Sequence, residues 1–539
     1  MPPRMFADLH SHPTLYGFNR MRNTSAEGDA ERFHPWSQHD EDLDHLKKGK
    51  RASAYSQADV AKLTASRCRL TFASITPIEK GFLLVTPQMK QNFTSEALKL
   101  ATGATLVRSG AKFFRDGSAD ALYELSGILR NQGPVRQALQ KGMMRYPLAR
   151  IKHMQSPGFD YWDEFHKEYN FWKRKDGVRQ EVDSTTAGRI SGCYHMIDTE
   201  EKLHAVIEDD AAGELAMVMT IEGAHTFSIG PDDEPLADEI VLSRIKELKA
   251  LPAPIFFLTL AHHFDNGICG HAHSIPDAGY VVLDQTRRMH EGLEKRDDFG
   301  ARVVRELLAL DENLEDNGER RILIDCKHMS ARSRKEYYET IVRPANAKLA
   351  ENEPALPVIL SHAGYSGVSS LDAMIEDTGN EDDYWHIGAY YAWNLNFCDD
   401  DIRMVHETGG IFGVCLDQRV AGILPKQKVH DEQWIHVLMQ QILGVVDVIM
   451  LDDRYSPQEK ARIWDCVGLG TDYDGMIDPM SRYPTTLDLD LLAMDLHEAL
   501  EAIAHTRMIQ EIGVETLVEK ICWKNAWELV RRHFKYACR

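Results

Sequence analysis

Two histidines near the start of the chain are spaced so that both could bind one metal ion. They are His10 and His12, in the segment Ala7-Asp8-Leu9-His10-Ser11-His12-Pro13. Residues i and i+2 of a strand point to the same face, so both imidazoles can reach a single ion. His-x-His alone is a weak signal, because surface or core histidines share this spacing.

Four more side chains of ligand type strengthen that signal, because each follows a separate apolar run. They are Glu222, His328, His362 and Asp472. Two neighbouring divalent ions repel each other, and a shared carboxylate, here Glu222, offsets the repulsion. The predicted ligands are His10, His12 and Glu222 for the first ion, and Glu222, His328 and His362 for the second.

This ligand set predicts hydrolysis by a metal-activated water. Imidazole and carboxylate ligands without thiolate suit Zn²⁺, and Mn²⁺, Fe²⁺ or Co²⁺ are compatible with them. A hydroxide bridging two such ions can attack an amide without any side-chain nucleophile. We expect Asp472 to act as acid/base, passing the proton to the leaving amine.

Other ionisable side chains lie close to these ligands in the sequence. His262, at the end of another apolar run, is expected to polarise the scissile carbonyl or stabilise its oxyanion. For His225 two interpretations stay open, support of the ligands and simple packing. Asp325 and Lys327, beside His328, are interpreted as structural.

Eight short apolar runs, mostly followed by helical patterns, would position these side chains. Near-continuous apolar strands alternating with helices such as Asp298–Leu310, Ser330–Ile341 and Asp399–Glu407 indicate a parallel sheet covered by helices. The predicted fold is α/β, a (β/α)8 barrel whose strand ends converge on one mouth. The runs are Arg4–Leu9, Leu70–Ile75, Leu215–Ile221, Ile255–Leu260, Ile322–Asp325, Pro357–Leu360, Gly410–Leu416 and Val467–Gly470.

Two stretches exceed a minimal barrel. Residues of about 77–210 carry the amphipathic patterns Ala119–Leu129 and Tyr161–Lys175, which predict a helical insertion between strands 2 and 3, over or beside the mouth. Residues of about 363–395, acidic and aromatic, predict an enlarged active-site loop, and such loops usually set specificity. The 539 residues are thus expected to form a single metallohydrolase domain.

The composition of the whole chain limits which kinds of partner and which compartment we expect. Lys+Arg 62 against Asp+Glu 83 gives a formal net charge of -21, which argues against nucleic-acid and membrane binding. The nine cysteines are scattered and form no C-x-x-C pair, which is typical of a reducing compartment. The N-terminal residues contain no apolar signal segment, so we expect a cytoplasmic enzyme unless an export signal has been removed.

The motifs together resemble those of the membrane dipeptidases, also called renal dipeptidases, of the amidohydrolase superfamily. The resemblance covers most of the barrel, and the motif around Asp472 is its most specific part. The segments that carry it are Thr220-Ile221-Glu222-Gly223-Ala224-His225, Leu258-Thr259-Leu260-Ala261-His262, Ile324-Asp325-Cys326-Lys327-His328-Met329-Ser330, Pro357-Val358-Ile359-Leu360-Ser361-His362, Gly468-Leu469-Gly470-Thr471-Asp472-Tyr473-Asp474-Gly475 and Lys524-Asn525-Ala526.

The resemblance implies a dinuclear zinc metalloprotease that hydrolyses dipeptides or related small amides, and a homodimer. It implies that Glu222 bridges the ions and that His328 and His362 bind the second one. It also implies that His262 contacts substrate and that Asp472 is the catalytic acid/base.

The chain departs from the family pattern at two places. The family's first strand carries His-x-Asp, where this chain has His10-Ser11-His12. The family also has an arginine that binds the substrate carboxylate, and Leu395 stands at the corresponding position. Arg419, on the loop after the seventh strand, is the candidate to replace it as a substrate contact, and the alternative interpretation is a surface arginine.

Alternatives to a dipeptidase-like hydrolase follow from the same residues. One is another amidohydrolase activity, such as that of an N-acyl amino acid hydrolase, a lactonase or a deaminase. The other is a non-catalytic barrel that binds metal for stability or serves as a binding module.

Overall fold

The eight apolar runs form the eight parallel strands of a barrel in the part of the chain that the structure describes. The structure is a computed structural model and describes residues 3, 5–23, 31–37, 56–83, 120, 148–184, 187–209, 211–229, 235–275, 284–349, 353–376, 386–387, 390–423 and 427–539. The strands are β1 Phe6–Ser11, β2 Cys68–Ile75, β3 Gln180–Ser184, β4 Gly188–Met196, β5 Glu214–Glu222, β6 Ile255–Thr259, β7 Leu323–Asp325, β8 Ile359–Ala363, β9 His386–Ile387, β10 Tyr390–Tyr391, β11 Ile411–Val414 and β12 Val467–Leu469.

The barrel runs in the order β1-β2-β5-β6-β7-β8-β11-β12, with every neighbouring pair of the list parallel. These strands are almost entirely buried, as expected for a parallel sheet covered by helices. The predicted (β/α)8 barrel is therefore confirmed, and each predicted strand is present within a few residues of its expected bounds.

The seam between the first and last strands closes at the mouth. Just beyond β1 and β12, Ser11 forms a parallel bridge with Tyr473. The amide of His12 donates to the carbonyl of Tyr473 at 2.9 Å, and the amide of Asp472 donates to the carbonyl of His10 at 2.9 Å. Backbone next to the predicted ligands therefore joins the two ends of the sheet.

Two glycines allow β8, β11 and β12 to pack closely around the barrel interior. A Cβ atom on Gly413 would lie 2.0 Å from the carbonyl oxygen of Ser361, and one on Gly470 would lie 1.8 Å from it. Any side chain there would push β11 or β12 away from β8. The spacing of the strands that carry His362 and Asp472 thus depends on these glycines.

Helices follow the strands as the sequence patterns predict. For example, the helix Asp399–Thr408 begins after Cys398, whose amide donates to Asp401, and ends at Gly409, which has a φ of 60°. The helices are α1 Leu15–Asn23, α2 Val60–Ala65, α3 Leu148–Met154, α4 Tyr161–Trp172, α5 Glu200–Glu208, α6 His225–Ser228, α7 Asp238–Lys249, α8 Phe299–Leu308, α9 Ala331–Tyr337, α10 Arg343–Asn346, α11 Leu371–Glu376, α12 Asp399–Thr408, α13 Trp434–Met450, α14 Pro457–Ala461, α15 Leu489–Ala502, α16 Ile509–Ile512, α17 Val514–Glu519 and α18 Asn525–Ala537. Short 3₁₀ turns (Lys80–Phe82, Arg296–Asp298, Asp431–Gln433, Arg462–Asp465 and Thr486–Asp488) and π-helical turns (Tyr338–Val342 and Lys520–Lys524) complete them.

The insertion of residues 77–210 contains strands as well as helices. Its helix α4 covers the predicted Tyr161–Lys175 pattern, whereas the pattern Ala119–Leu129 lies outside the described residues except for residue 120. The prediction did not include the antiparallel pair of β3 and β4. Strand β4 then pairs in parallel with the first half of β5, Glu214 to Met217.

The enlarged loop of residues 363–395 is described in part. It contains α11 and the short antiparallel pair of β9 and β10, while residues 377–385 and 388–389 lie outside the described residues. Within the loop, Tyr391, Trp393 and Leu395 are buried in a small apolar cluster with Ala272, Cys415 and Val420.

The C-terminal helix α18 covers the end of the barrel opposite the mouth. Asn525, its first residue, donates from Nδ2 to the carbonyls of Trp464 and Val467 at 2.8 and 2.7 Å. The amide of Arg321, just before β7, donates to the carbonyl of Tyr536 at 2.8 Å. Polar groups at this end are thus largely satisfied by backbone.

The cysteines and one long apolar helix are relevant to the expected compartment. All nine cysteines lie in the described residues and form no disulfide, and eight of them are buried. Within the described residues one helix, Asp431–Met450, is long and apolar enough to cross a membrane, with a mean hydropathy of 1.3, and 56% of it is buried inside the protein. This helix packs against α12 and α15 as part of the outer layer of the barrel.

Candidate metal centre at the mouth of the barrel

Glu222 ends β5 and lies at the centre of the mouth with its side chain only 5% exposed. The strand stops there because Gly223 follows with a φ of 96°, where a Cβ atom would lie 2.2 Å from Nδ1 of His225. This turn leaves the carboxylate at the end of the strand.

Five imidazoles surround that carboxylate, each from a different strand end except for the His10 and His12 pair. Oε1 lies 3.3 Å from Nε2 of His328, 3.3 Å from Nε2 of His362 and 3.5 Å from Nε2 of His10. Oε2 lies 3.1 Å from Nε2 of His12 and 3.6 Å from Nε2 of His262. The two oxygens therefore face two different groups of donors.

The spacing of these atoms fits a metal centre. Nε2 of His10 lies 3.2 Å from Nε2 of His12, and Nε2 of His328 lies 3.4 Å from Nε2 of His362. In a tetrahedral zinc site with bonds of about 2.0–2.1 Å, ligand atoms lie about 3.3–3.4 Å apart. The donors present thus have the spacing and chemistry that such an ion requires.

Charge at the mouth also favours a cation. Burial alone would raise the pKa of Glu222, but the neighbouring imidazoles of His262 and His10 outweigh it and hold the pKa well below its usual range. Burial would lower the pKa of His12, yet Glu222 raises it to about 9. The carboxylate draws positive charge to the point where the imidazoles converge.

A serine fixes which nitrogen of His362 faces the mouth. The hydroxyl of Ser361 donates to Oδ2 of Asp325 at 2.7 Å, and Nδ1 of His362 lies 2.9 Å from the same hydroxyl oxygen. Since the hydroxyl proton is already committed, Nδ1 of His362 is the donor and Nε2 keeps its lone pair for an ion.

Asp325 accepts hydrogen bonds from neighbouring strands beneath the predicted ligands. This agrees with its interpretation as a structural residue. Its carboxylate accepts from Thr259 on β6 at 2.7 Å and from the amide of Ser361 on β8 at 3.0 Å. It also accepts from the amide of Lys327 at 3.2 Å. One carboxylate therefore links three neighbouring strands.

Lys327 is buried at the mouth, 1% exposed, and its Nζ makes no hydrogen bond within the described residues. Burial lowers the pKa of its ammonium, and the thiol of Cys415 and the carboxylate of Asp472 oppose that shift.

Asp472 follows β12 on a left-handed backbone with a φ of 59°. Its Oδ1 lies 3.9 Å from Nε2 of His10 and 3.8 Å from Nε2 of His12, and its side chain is 14% exposed. A Cβ atom on Gly475 would lie 1.9 Å from Oδ1, so glycine is required behind the carboxylate. Burial and the charge of Glu222 hold the pKa of Asp472 well above its usual range, with His12 opposing them.

His262 sits just beyond β6, between two carboxylates. Its Nε2 faces Glu222, and its Nδ1 lies 2.7 Å from Oε1 of Glu79 as an ion-pair contact. Burial alone would lower the pKa of His262, but Glu222 and Glu79 leave it raised. Glu79 lies on the loop after β2. It was not predicted as a functional residue, because no motif or spacing in the sequence marks it.

For His225 the sequence left two interpretations, support of the predicted ligands and simple packing. Its side chain lies beside the carboxylate of Glu79. Its Nε2 is 2.8 Å from the carbonyl oxygen of Pro77, and its ring packs edge-on against Tyr161 of the insertion at 4.9 Å. Burial lowers the pKa of His225. The insertion also reaches the loop after β1, where Thr14 donates to Glu168 at 3.0 Å.

Arg419 is bound to a neighbouring carboxylate. Its Nε lies 2.8 Å from Oδ2 of Asp417, and its Nη2 donates to Asp417 and to the carbonyl of Met476. The guanidinium is 31% exposed, and its Nη1 makes no hydrogen bond within the described part of the chain. The geometry thus leaves one edge of Arg419 open.

A scan against models of protein families finds no match, and a search of curated proteins finds none. Among solved structures, a metallo peptidase from Rhodobacter sphaeroides, liganded with a phosphinate mimic of the dipeptide L-Ala-D-Ala, is 14% identical over 98% of this chain and 99% of its own, with a TM-score of 0.47.

Two other similar structures are a dipeptidase AC, a metallo peptidase of family M19, and the probable dipeptidase PvdM from Pseudomonas aeruginosa. The first is 12% identical over 98% of this chain and 99% of its own, with a TM-score of 0.46. The second is 13% identical over 91% and 90%, with a TM-score of 0.37. At such identities the likeness concerns the fold, and the function of this chain rests on the side chains at the mouth.

Proposed function

We propose that this protein is a dinuclear metal-dependent hydrolase that cleaves an amide bond in a small molecule, with a dipeptidase-like mechanism. The observation that carries the proposal is the convergence of imidazole Nε2 atoms on the two oxygens of one buried carboxylate. Within the two proposed pairs the Nε2 atoms lie 3.2 and 3.4 Å apart, which is the spacing of two ligands of one tetrahedral ion.

Glu222 would bridge the two ions. His10 and His12 would hold the first ion, and His328 and His362 the second. The distances between the Nε2 atoms within each pair, 3.2 Å and 3.4 Å, support these pairs. Nε2 of His10, like those of His328 and His362, lies nearer Oε1 of Glu222. Two divalent ions, zinc being the one these donors suit, would supply Lewis acidity and lower the pKa of water at the mouth.

The remaining side chains would act on the substrate. Asp472, near His10 and His12 and partly exposed, can take a proton at Oδ1 and give it to the leaving amine. His262 can donate from Nε2 to the carbonyl oxygen as negative charge develops there. Arg419 can contact an anionic end of the substrate through its open Nη1.

The substrate we propose is a dipeptide or a related small amide. Hydrolysis of an N-acyl amino acid or of a lactone, or deamination of an amino-substituted base, would need the same ions and the same Asp472, so those activities form the second proposal. The buried Leu395 favours the lactone and the base, which need no carboxylate, because it places an apolar side chain where the family that the motifs resemble carries its carboxylate-binding arginine. A cytoplasmic location and a homodimer remain expectations from the sequence.

Metal analysis with a substrate panel tests the proposal. The purified protein should contain about two divalent ions per chain and hydrolyse at least one of a set of dipeptides, N-acyl amino acids and lactones. Removing the ions by a chelator should abolish turnover, and restoring Zn²⁺ should recover it. Fewer than one ion per chain after purification in Zn²⁺, or turnover that survives metal removal, would reject the proposal.

A further inference from the structure

Glu79 is a buried carboxylate that the proposed chemistry leaves without a role. It lies on the loop after β2, is 3% exposed, and places Oε1 2.7 Å from Nδ1 of His262. The opposite nitrogen of that imidazole, Nε2, faces Glu222 and the mouth. The ring of His262 thus lies between Glu79 and the centre of the site.

Backbone amides hold both oxygens of Glu79. The amide of His263 donates to Oε1 at 3.1 Å, and the amide of Phe264 donates to Oε2 at 3.2 Å. Because these amides follow His262 directly in the chain, the carboxylate of Glu79 contacts both the imidazole of His262 and the backbone next to it. Such contacts fix the position and the rotation of the ring.

The turn that carries Glu79 is itself packed in place. A Cβ atom on Gly81 would lie 2.5 Å from the ring of Phe264, so the two loops touch with no room for a side chain. The amide of Lys80 donates to the hydroxyl of Tyr161 at 2.6 Å. The carboxylate therefore approaches His262 from a fixed support.

His225 does not compete for this carboxylate. Its Nε2 donates to the carbonyl of Pro77, which can only accept, so the neutral ring carries its hydrogen on Nε2 and none on Nδ1. Nδ1 of His225 lies 3.9 Å from Glu79. The acceptor capacity of Glu79 on this side is thus left for Nδ1–H of His262.

We propose that Glu79 is a positioning residue that holds Nδ1–H of His262 and so aims Nε2 at the carbonyl oxygen of the bound amide. This role rests on the proposed function, in which His262 faces the substrate. The contact between Nδ1–H and Glu79 fixes the orientation of the ring before substrate arrives. The free-energy cost of reaching the transition state is then lower, because the ring is already oriented.

The test compares Glu79→Gln with a matched control, Glu164→Gln. Glu164 is another buried glutamate, 1% exposed and paired with Arg150, and it is not among the residues proposed to bind the ions or the substrate. We expect Glu79→Gln to lower kcat about tenfold to a hundredfold, with KM within about threefold and two ions still bound. Glu164→Gln should leave kcat unchanged.

A double variant separates positioning from general damage. If Glu79 acts through His262, Glu79→Gln should add little to the loss caused by His262→Gln. A kcat unchanged by Glu79→Gln, losses that add in full, or loss of an ion in Glu79→Gln would each overturn the proposal.

A measurement without turnover keeps the two proposals apart. In protein labelled with ¹⁵N-histidine, the signals of His262 are those missing from His262→Gln. They should show a hydrogen on Nδ1 in the wild type and a shifted Nδ1 in Glu79→Gln. A wild-type His262 without hydrogen on Nδ1 would overturn the positioning role. A wild type that binds two ions but cleaves nothing in the panel would reject the proposed function alone.

Discussion

Strand β5 begins and ends with a glutamate, and the two carboxylates lie in opposite surroundings. Glu214, at the start, pairs with the guanidinium of Arg179 and lies 2.6 Å from Nε2 of His195. Glu222, at the end, has no arginine or lysine among its ion-pair partners in the described residues and is surrounded by imidazoles. A permanent cation neutralises the first carboxylate, whereas the second is surrounded by groups that can exchange a proton for a metal ion.

The same contrast separates the two ends of the barrel. At the closed end, Asn525, Arg321 and neighbouring groups direct their donors at backbone carbonyls. At the mouth, side chains face one another, and several buried atoms, such as Nδ1 of His328 and Nζ of Lys327, have no hydrogen-bond partner within the described residues. The hydrogen bonds of Asn525 and Arg321 thus fit a structural role at the closed end, and the side chains at the mouth fit a role in chemistry.

The largest effect should come from the pair Glu222→Gln and Glu214→Gln. Glu222→Gln removes the charge that offsets repulsion between two ions, so we expect both ions to be lost and kcat to fall on the order of a thousandfold or more. Glu214→Gln, on the same strand, should keep both ions and full activity. Metal analysis and steady-state kinetics measure both.

The metal content of these two variants can contradict the contrast between Glu214 and Glu222. If Glu214→Gln lost an ion, the Cys193, His195 and Glu214 cluster would itself bind metal, since its donor atoms lie within 4.8 Å of one another. Retention of two ions by Glu222→Gln would remove the bridging role.

The next effect should come from Asp472→Asn. Asparagine tolerates the left-handed backbone at this position, so the fold should be unchanged. Loss of the proton carrier should lower kcat by about a hundredfold to ten-thousandfold with two ions retained. Asp474→Asn is the matched control, because Asp474 accepts amide hydrogens from Gln57 and Ala58 and serves structure. Equal turnover by Asp472→Asn and wild type would exclude its acid/base role.

At the closed end, Asn525→Ala should affect stability and leave chemistry intact. It removes two hydrogen bonds to buried carbonyls, which we expect to lower the free energy of unfolding by about 2–4 kcal/mol. Metal content and kcat should match the wild type. Denaturant unfolding measures the change, with the exposed Asn313→Ala as control. A loss of kcat without loss of stability would contradict the separation of the two ends.

The smallest effect concerns His533, an exception at the closed end. Neither ring nitrogen has a hydrogen-bond partner in the described residues, and burial, together with Arg532 and Arg321, lowers its pKa to about 3. The unfolded chain, with a pKa near 6.5, then binds the proton first, so stability falls as pH drops from 6.5 toward 3.

At pH 5 this group should cost about 2 kcal/mol relative to pH 7. Unfolding at both pH values should therefore show a drop in the wild type that is smaller by about that amount in His533→Leu. The exposed His505→Gln should behave as the wild type. An identical drop in His533→Leu would show that this histidine is not held neutral.

The barrel strands could be predicted from the sequence because each is buried on both faces and reads as an apolar run. Strands β3 and β4 could not, since Gln180–Ser184 alternates exposed and buried residues within a polar stretch. Such a strand is defined by its partner, which lies elsewhere in the chain.

The residues that converge on Glu222 could be predicted because their types are distinctive and each ends a strand. Glu79 and Ser361 could not, because serines and loop glutamates are common and their role depends on the neighbour that the fold brings to them. Arg419 shows the converse: its type fits a carboxylate site, but only the structure reveals that Asp417 already occupies most of its donors.

The seam between β1 and β12 has a consequence for how the protein is made. Thr471 donates from its amide and its hydroxyl to Asp8, a residue 463 positions earlier in the chain. A ribosome must therefore finish nearly the whole polypeptide before the first strand meets its last neighbour. Until then His10 and His12 lack the partner that closes their side of the mouth. A nascent or truncated chain ending before Val467 would thus present an open sheet edge and an incomplete site, so metal capture should report completed synthesis.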